Sequence, residues 1–444
     1  MSDSQGFPQE LDFHQLKSMY PSRKTEYRKN PINSQTFTTA GQDIQLMLSK
    51  MENTFYDPQT LCVNFRVTYN QDSTAVKGTD DSFLIGSAYS HFSKQVIKPA
   101  SGVIIETIEN PSLLTNAVTS ITTCSMEKLA LSTTWGFNSD AIFSNLGRRI
   151  IPSQVPTERV LVHDYSIPLI GILNTNKLLP AFVTDIEIDL TLNNVANFIS
   201  NATTKAITGY SITNVELVCE AITLESSSMQ LLMQMYPGVI KLKSESYLYG
   251  SSQLASGYSG TTDITYSHSL NSLKKFIWWS SPLNAWELNY AGVNPNASSW
   301  GLIIGSQNYP QQNVKSARVT EAFMQNSKAY GSMYSTSHSG SAKVEDFGRS
   351  STAYELYQPY VQKPALAAYT SSSSNKWYQA LDLEIINNEN SVLFNGISTK
   401  GSTNTLRLNV GFPLATQPHA VHFFSNFDVI LEFDYLNQTI NVIQ

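Results

Sequence analysis

Apolar and polar residues alternate with a period of two along most of this chain. In the segment 61–69, LCVNFRVTY, every second residue is apolar or aromatic. The segment 184–192, TDIEIDLTL, repeats the pattern, and its polar positions include three carboxylates, Asp185, Glu187 and Asp189. Successive side chains of a strand point to opposite faces, so this period predicts half-buried β-strands. The chain is therefore predicted to be all-β with a few short helices.

Two strand-rich halves are joined by one short helical segment. In the run from Val215 to Tyr249 a strand ends, ESSSMQLLMQM predicts a helix, and Pro237-Gly238 stops it before a new strand begins. Two further helices are predicted, one opened by Asn110 as capping residue with Pro111 in its first turn, and one from Ala317 to Tyr330.

The length and the spacing of these elements favour two consecutive β-sandwiches. A chain of 444 residues suits two domains of roughly 200 residues each. Regular helices do not separate the strands, so jelly-roll or Greek-key connections between packed sheets are favoured over βαβ units. The predicted organisation is an arm over 1–35, a first jelly roll over 36–225, a linker helix over 226–237, and a second jelly roll over 238–444 with long loops at 282–374.

Composition narrows the class of protein only slightly. Charged residues make up 14% and hydrophobic residues 41% of the chain. This suits a surface that is covered by neighbouring proteins, and it suits a plain all-β protein with polar loops equally well. The net charge of −6 argues against a body that coats nucleic acid, which needs clustered Lys and Arg.

The start of the chain differs from the rest in charge. Between positions 17 and 29 one glutamate faces five cations, Lys17, Arg23, Lys24, Arg28 and Lys29. One interpretation is a solvated, partly flexible terminus. The other is an arm that contacts an anionic surface or a neighbouring subunit. The preceding segment, ELDFHQLKSMY, predicts a short amphipathic helix with apolar residues available to dock, namely Leu11, Phe13, Leu16 and Met19.

The cysteines and the hydropathy indicate a reducing compartment. Cys62 and Cys219 lie in apolar strand patterns and are predicted to be core residues, whereas Cys124 has no evident partner. The odd number of cysteines argues against a disulfide framework. The sequence shows no signal peptide and no apolar run of the ~20 residues that a membrane span needs.

Searches for catalytic and metal-binding patterns give no candidate. There is no Walker loop, GxGxxG after a strand, GxSxG or HExxH. His419 and His422 form an HxxH run, but on a strand these two side chains point to opposite faces. The carboxylates at 185, 187 and 189 are interpreted as the solvated face of an outer strand. No cofactor is predicted, and the chain is not expected to be an enzyme.

Aromatic residues offer one alternative. At least one of Trp278 and Trp279 is predicted to be buried, because neighbouring strand residues face opposite sides. The tyrosines between Tyr330 and Tyr378 suit a glycan site, and they suit subunit contacts, where aromatic residues are enriched.

Four stretches, taken in order, resemble the double jelly-roll major capsid proteins of DNA viruses. The resemblance extends to polinton-like viruses, virophages, large nucleocytoplasmic viruses and, more distantly, adenovirus hexon. The stretches are GVIIETIENPSLLTNAV, NVELVCEAITLESSSMQLLMQ, TDITYSHSLNSLKKFIWW and NGISTKGSTNTLRLNV, at 102–118, 214–234, 262–279 and 395–410. Each is degenerate by itself, and the order and spacing carry the resemblance.

The resemblance implies a non-enzymatic major capsid protein in the shell of an icosahedral virion. It implies homotrimers that form pseudo-hexameric capsomers, with neighbouring capsomers, penton and minor capsid proteins as partners. The basic arm would then lie on the inner face, against a neighbouring protein, an internal membrane or the genome. The alternative is a carbohydrate-binding or adhesive β-sandwich that uses residues such as Trp300 and Tyr330. A glycoside-active enzyme ranks last, because it needs a carboxylate pair roughly 5 to 10 Å apart and the sequence singles out none.

Overall fold

A computed structural model describes most of the chain. The described residues are 22–71, 75, 81–123, 130–136, 146–151, 161–201, 207–283, 295, 297–315, 319–330, 377–386, 394–410 and 418–444. Within them the chain is dominated by antiparallel strands.

The strands of the first half all lie before the linker helix. They are β1 Ser22–Lys29, β2 Thr36–Phe37, β3 Asp43–Leu48, β4 Thr54–Gln71, β5 Ser82–Ile85, β6 Phe92–Pro99, β7 Glu106–Glu109, β8 Leu146–Ile150, β9 Val162–Pro168, β10 Leu179–Pro180, β11 Ile186–Leu192, β12 Ile199–Asn201 and β13 Ile207–Leu224. Those of the second half are β14 Val239–Leu254, β15 Gly260–Tyr266, β16 Leu273–Pro282, β17 Ala297–Ile304, β18 Gln307–Val314, β19 Gln379–Asp382, β20 Asn404–Val410, β21 His419–Asp434 and β22 Thr439–Ile443.

Helices are short among the described residues. The α-helices are α1 Pro111–Thr122, α2 Ser132–Trp135, α3 Ser226–Met235 and α4 Val319–Tyr330, with 3-10 turns at Ala88–His91 and Val195–Asn197. Helix α3 connects the two halves and ends before Pro237, as the sequence indicated. Asn110 does precede α1, but it adopts a left-handed conformation (φ 51°) and its side chain makes no capping hydrogen bond, so the predicted cap is wrong.

The first half packs two main sheets face to face. One runs in the order β1-β13-β4-β10, with β2 on β13 and β9 on β4, and the other in the order β3-β11-β6-β7. Phe65 of β4 meets Phe92 of β6 edge-on at 5.3 Å between ring centroids, so aromatic rings fill the space between these sheets. A third small sheet, β12-β5-β8, closes one end.

The second half repeats the two-sheet design. One sheet runs β14-β21-β16-β19, with β22 on β21, and the other runs β15-β20-β17-β18. Tyr266 of β15 stacks 5.2 Å from Phe276 of β16, and Trp278 of β16 meets Trp300 of β17 at 5.5 Å. The two sheets therefore share one aromatic core.

Strand order along the chain identifies the connections as those of a jelly roll. In the second half β14, β16, β19 and β21 belong to one sheet, while β15, β17 and β20 belong to the facing sheet. The chain thus crosses between sheets at nearly every step and pairs strands that are distant in sequence. The fold is an all-β double jelly roll, as predicted.

One region departs from the sequence interpretation. The sequence predicts loops and one helix for 282–374, but β17 and β18 form a hairpin inside this stretch. Strand β18 reads QNYPQQNV and lacks the period-two pattern, because it is the edge of its sheet and few of its side chains are buried. The predicted helix at 317–330 is present as α4.

Candidate functional site

The histidines of the described residues are structural. His422 accepts and donates hydrogen bonds within the second core, to the Tyr249 hydroxyl and the Ser281 hydroxyl at 2.9 Å each. Burial lowers the pKa of His422 to about 4, so the ring is neutral at physiological pH. His419 instead pairs with Ser280 at 3.2 Å, and the two histidines of the HxxH run therefore do not converge.

No metal site forms where the structure describes the chain. Within those residues no three side chains among His, Cys, Asp and Glu lie close enough to hold an ion. His14 and His338, like Cys124, lie outside the described residues. Burial raises the pKa of the Cys219 thiol to about 12, so this cysteine stays protonated and fills the core, as predicted.

The carboxylates of β11 are less exposed than the alternation suggested. Lys98 of β6 lies 3.1 Å from Glu187 and 2.9 Å from Asp189, and Asp189 is buried. Asp185 accepts a hydrogen bond from the backbone amide of Lys50. The interpretation of a solvated face is therefore wrong for Asp189, because the neighbouring strand supplies a cation that covers it.

The tryptophans do not form a surface site. Trp278, Trp279, Trp300 and Trp377 are all essentially unexposed. The indole of Trp300 donates to the Gln379 side chain at 3.1 Å, inside the second core. Tyr330 is half-buried, with Lys275 lying 4.8 Å from its ring centroid. Trp300 cannot stack on a sugar, which removes the main residue of the carbohydrate-binding alternative.

The basic segment forms a strand along the outer edge of the first half. Strand β1 pairs with β13 from Ser22↔Leu224 to Lys29↔Leu217. Lys24 forms an ion pair with Glu220, and Arg28 with Glu26 and Glu216. Arg23 and Lys29 are exposed and, among the described residues, have no carboxylate partner, while Lys17 lies outside that set. The cations are thus brought together, but half of them are neutralised by their own sheet.

A surface cleft lies beside the far end of this strand. Its volume is about 590 Å³, and its lining is largely polar, including Asn64, Glu216 and the ion pair of Arg66 with Asp164. The Arg66 guanidinium binds both carboxylate oxygens, at 2.7 and 2.9 Å. An open polar cleft without a nucleophile or a metal-binding set offers a contact surface, not a catalytic centre.

The two halves are joined by a buried seam that the sequence did not indicate. Glu106 of β7 is almost fully buried, and its carboxyl accepts hydrogen bonds from the backbone amide of Ile172 at 2.9 and 3.1 Å. The Ser246 hydroxyl of β14 donates to the same carboxyl at 2.5 Å. Ser244 of β14 donates to the Ile172 carbonyl at 2.6 Å. The Glu106 carboxyl therefore connects β7 with the loop after β9 and with β14, the first strand of the second half.

Electrostatics make Glu106 unusual. Burial raises its pKa to about 8, and the hydrogen bonds from Ser246 and Ile172 only partly oppose this effect. Gly171 makes the arrangement possible, because its φ is +87° and a Cβ there would lie 2.5 Å from Glu106 Oε1.

Further contacts hold the halves in one orientation. Asn116 of α1 donates to the Tyr378 hydroxyl at 3.0 Å, and Thr175 donates to the Lys243 carbonyl at 3.1 Å. At the end near α3, the Lys50 ammonium donates to Gln438 at 3.0 Å. The seam therefore runs over several elements, and the two jelly rolls are held side by side.

The second half also contains a buried network of paired charges. Lys274 of β16 is 8% exposed at its side chain and contacts Glu245 and Glu384, the latter at 2.8 Å. Asp428 of β21 is fully buried 3.7 Å from the same ammonium, and it accepts from the Ser272 hydroxyl at 2.6 Å. Burial by itself would lower the pKa of Lys274, but the carboxylate of Glu245 and its neighbours outweigh burial and raise it. The network keeps Lys274 charged and fixes three strands.

Only weak sequence signals mark Glu106 and Lys274 as buried. Glu106 follows the apolar run GVII, and Lys274 is the second residue of the strand that begins LKKFIWW. A charged residue beside continuous apolar positions is the one cue that could have marked them, and nothing in the sequence named their partners.

Comparisons with known proteins agree with this architecture. No family model matches the sequence, and no curated protein is significantly similar to it. Among solved structures, PBCV-1 VP54 fitted into a cryo-EM reconstruction of the virophage Sputnik is similar with a TM-score of 0.61 and 10% identity, covering 97% of this chain and 98% of that one. The Faustovirus major capsid protein gives 0.61 and 8% over 95% and 92%, and the mavirus major capsid protein gives 0.54 and 11% over 100% and 96%. The fold class is therefore that of these viral capsid proteins.

Where the structure describes helices, none is long and apolar enough to cross a bilayer.

Proposed function

We propose that this chain is the major capsid protein of an icosahedral DNA virus, with a structural and not a catalytic role. One observation carries the proposal: two jelly rolls are locked side by side by a buried seam, in a fold that matches viral capsid proteins over nearly the whole of both chains. Repeated rolls in a fixed orientation are the property that a shell tile needs.

The assembly is proposed to be a homotrimer. Three chains with two rolls each present six similar sandwiches, which tile a surface as a pseudo-hexamer. The shell would then be built from neighbouring capsomers together with penton and minor capsid proteins, and the protein would reside in the virion. The units that we propose are the arm 1–35, the rolls 36–225 and 238–444, and the linker 226–237.

Light scattering on the purified chain tests the trimer. A mass near three times 49.3 kDa that persists to low micromolar concentration is the expected result. A protein that stays monomeric at high concentration would refute the proposed trimeric capsomer, because stable contacts between subunits bury large interface areas.

The basic segment is proposed to contact a neighbouring capsid protein at the inner face. Its β1 cations already pair with Glu26, Glu216 and Glu220, which leaves a mixed-charge edge better suited to a protein partner than to an internal membrane or the genome. Replacing Arg23 and Lys29 by Gln is expected to weaken assembly at low salt without changing trimer mass. Shell assembly that is unchanged in this variant would refute a capsid protein as the partner. DNA binding as strong as the contact between capsid proteins would refute it as well.

A further inference from the structure

Helix α3 presents an unpartnered apolar face to solvent. Of its ten residues, only Ser228 and Met229 are buried. Leu231 is 43% and Met235 61% exposed, and these two are spaced i, i+4, so they lie on one face. The helix reads SSSMQLLMQM and contains no charged residue. A surface helix ordinarily carries charge on its outer face, so this face is built to be covered.

The apolar surface continues beyond the helix. Tyr236 is 50% and Leu436 73% exposed, and Leu436 lies against Gly238. The hydroxyl of Tyr435 hydrogen-bonds with Gly238 and with the carbonyl of Tyr236, at 2.6 and 3.1 Å, which holds the turn after β21 beside the end of α3. We call the surface formed by Leu231, Met235, Tyr236 and Leu436 the linker patch.

The start of β1 lies next to this patch. Ser22 pairs with Leu224, which is followed after one residue by the first residue of α3. A helix of ten residues is about 15 Å long, so the linker patch begins within a short distance of the point where the chain enters β1. The three steps from Met19 to Ser22 reach at most about 11 Å. The covalent link to Ser22 therefore keeps residues 10–20 within reach of the patch.

The sequence of that tethered segment complements the patch. Residues 1–21 lie outside the described residues, and their sequence GFPQELDFHQLKSMY places Phe13, Leu16 and Tyr20 at i, i+3 and i+7. This spacing predicts one apolar face, whereas Ser18 falls on the opposite face. The apolar face that the sequence of this segment predicts matches the uncharged apolar surface of the linker patch in chemistry.

We propose that residues 10–20 of the same chain dock on the linker patch and cover α3. The tether makes this contact intramolecular, which raises the effective concentration of the segment far above that of a free partner. The contact would hold the N-terminal segment against the junction between the two jelly rolls. It goes beyond the proposed capsid role and does not depend on it.

Methionine oxidation tests the docking, because Met235 lies on the patch and oxidation follows exposure. The full chain is treated with dilute hydrogen peroxide and the rate at Met235 is read by peptide mass spectrometry. Leu16→Asp is expected to raise that rate several-fold, while Ser18→Asp, which adds the same charge on the opposite face, leaves it unchanged. Met229 is 2% exposed and reports unfolding, so its rate should stay low in all three proteins.

The remaining outcomes separate the occupants. Equal Met235 rates in the wild-type and Leu16→Asp proteins overturn the proposal. If Met235 is then protected only at high protein concentration, a second copy covers the patch. Protection that appears only with phosphatidylserine vesicles identifies a lipid surface instead. If the protein is a trimer and Met235 oxidises at equal rates in the wild-type and Leu16→Asp proteins, only the docking is refuted. If the protein is a monomer and Leu16→Asp raises the Met235 oxidation rate, only the proposed capsomer is refuted.

Discussion

The two halves treat buried charge in opposite ways at two places in the molecule. Inside the second half, Lys274 is surrounded by carboxylates, so its charge is paired. At the seam, Glu106 is equally buried but is held by neutral donors, Ser246 and the Ile172 amide. The surrounding carboxylates keep Lys274 charged, while burial raises the pKa of the lone acid, Glu106, to about 8.

This difference indicates which contact responds to conditions. The stability of a paired buried network does not change with pH until one partner titrates, and it is lost once the remaining charge is unpaired. An isolated buried acid changes charge within the ordinary pH range. The core of the second roll is therefore expected to be constant, whereas the seam between the rolls is tunable.

The largest expected effect comes from removing the cation of the paired network. Lys274→Met leaves Glu245, Glu384 and Asp428 without their central partner, and we expect a loss of about 3 to 5 kcal/mol in the free energy of unfolding. Urea unfolding followed by tryptophan fluorescence measures it. Arg407→Met, which breaks the exposed pair with Asp263 at 2.8 Å, serves as control and should cost about 0 to 1 kcal/mol. Similar losses of unfolding free energy in the two variants would show that the buried network contributes no more than an exposed ion pair.

The second effect is the pH dependence of the seam. The folded pKa of Glu106 lies above the unfolded value of 4.5, so the folded protein holds the proton more tightly. Its contribution to stability is therefore complete below pH 4.5 and is lost as pH rises to about 8. Glu106→Gln remains neutral and should remove this decline in the free energy of unfolding, which is on the order of a few kcal/mol over that window.

A comparison of the two proteins isolates this contribution. Burial lowers the pKa of His91 and of His422 to about 4, which makes stability increase as pH rises toward 6.5 and opposes the Glu106 effect. These histidines are present in both proteins, so they cancel in the difference between the wild-type and Glu106→Gln curves. A difference that is constant from pH 4.5 to 8.5 would show that Glu106 does not titrate in the seam. Tyr247 of β14, which interacts electrostatically with Glu106, is unchanged too.

The third effect tests the close packing around Glu106. Gly171→Ala adds a Cβ that collides with the carboxyl at a position with φ +87°, and we expect a loss of about 2 to 3 kcal/mol. Gly102→Ala has a similar φ, +78°, with nothing within 4 Å, and should cost about 1 kcal/mol. Calorimetry measures the loss of stability in each variant, and the difference between the two losses is the cost of the clash with Glu106. Equal shifts of the unfolding midpoint in the two variants would show that a Cβ at position 171 does not clash with Glu106.

The smallest expected effect is the loss of one seam hydrogen bond. Ser244→Ala leaves the Ile172 carbonyl without its partner and should cost about 1 kcal/mol. Ser227→Ala, at an exposed position of α3, is the matched control and should be neutral. Denaturant titration distinguishes these, and a neutral Ser244→Ala would indicate that water replaces the hydroxyl.

Local patterns predicted the elements far better than their partners. The alternation at 61–69 and 184–192 identified β4 and β11, because a half-buried strand must alternate. The edge strand β18 was missed, since an edge strand need not bury alternate residues. The capping hydrogen bond predicted for Asn110 is absent, and the left-handed backbone conformation of this residue could not be read from the sequence.

The candidate surfaces were predicted only in part. The cations at 23–29 were visible as a run, but two of their three carboxylate partners, Glu216 and Glu220, come from β13, nearly two hundred residues away. The burial of Trp300 depends on a facing strand, so a sequence pattern could not exclude it from a binding site. The clustering of Leu231, Met235 and Leu436 likewise requires the turn at 435–438 to lie beside α3.

The sequence by itself determined the strand content, the linker helix and the division into two β-rich halves, because these follow from periodicity and helix-stopping residues that act over a few positions. Only the tertiary structure decided that Glu106 meets Ser246, that Lys274 lies among carboxylates and that Leu231, Met235, Tyr236 and Leu436 share one surface. Each of those features joins residues from different elements, and a chain that crosses between sheets at nearly every step fixes such neighbours through global packing alone.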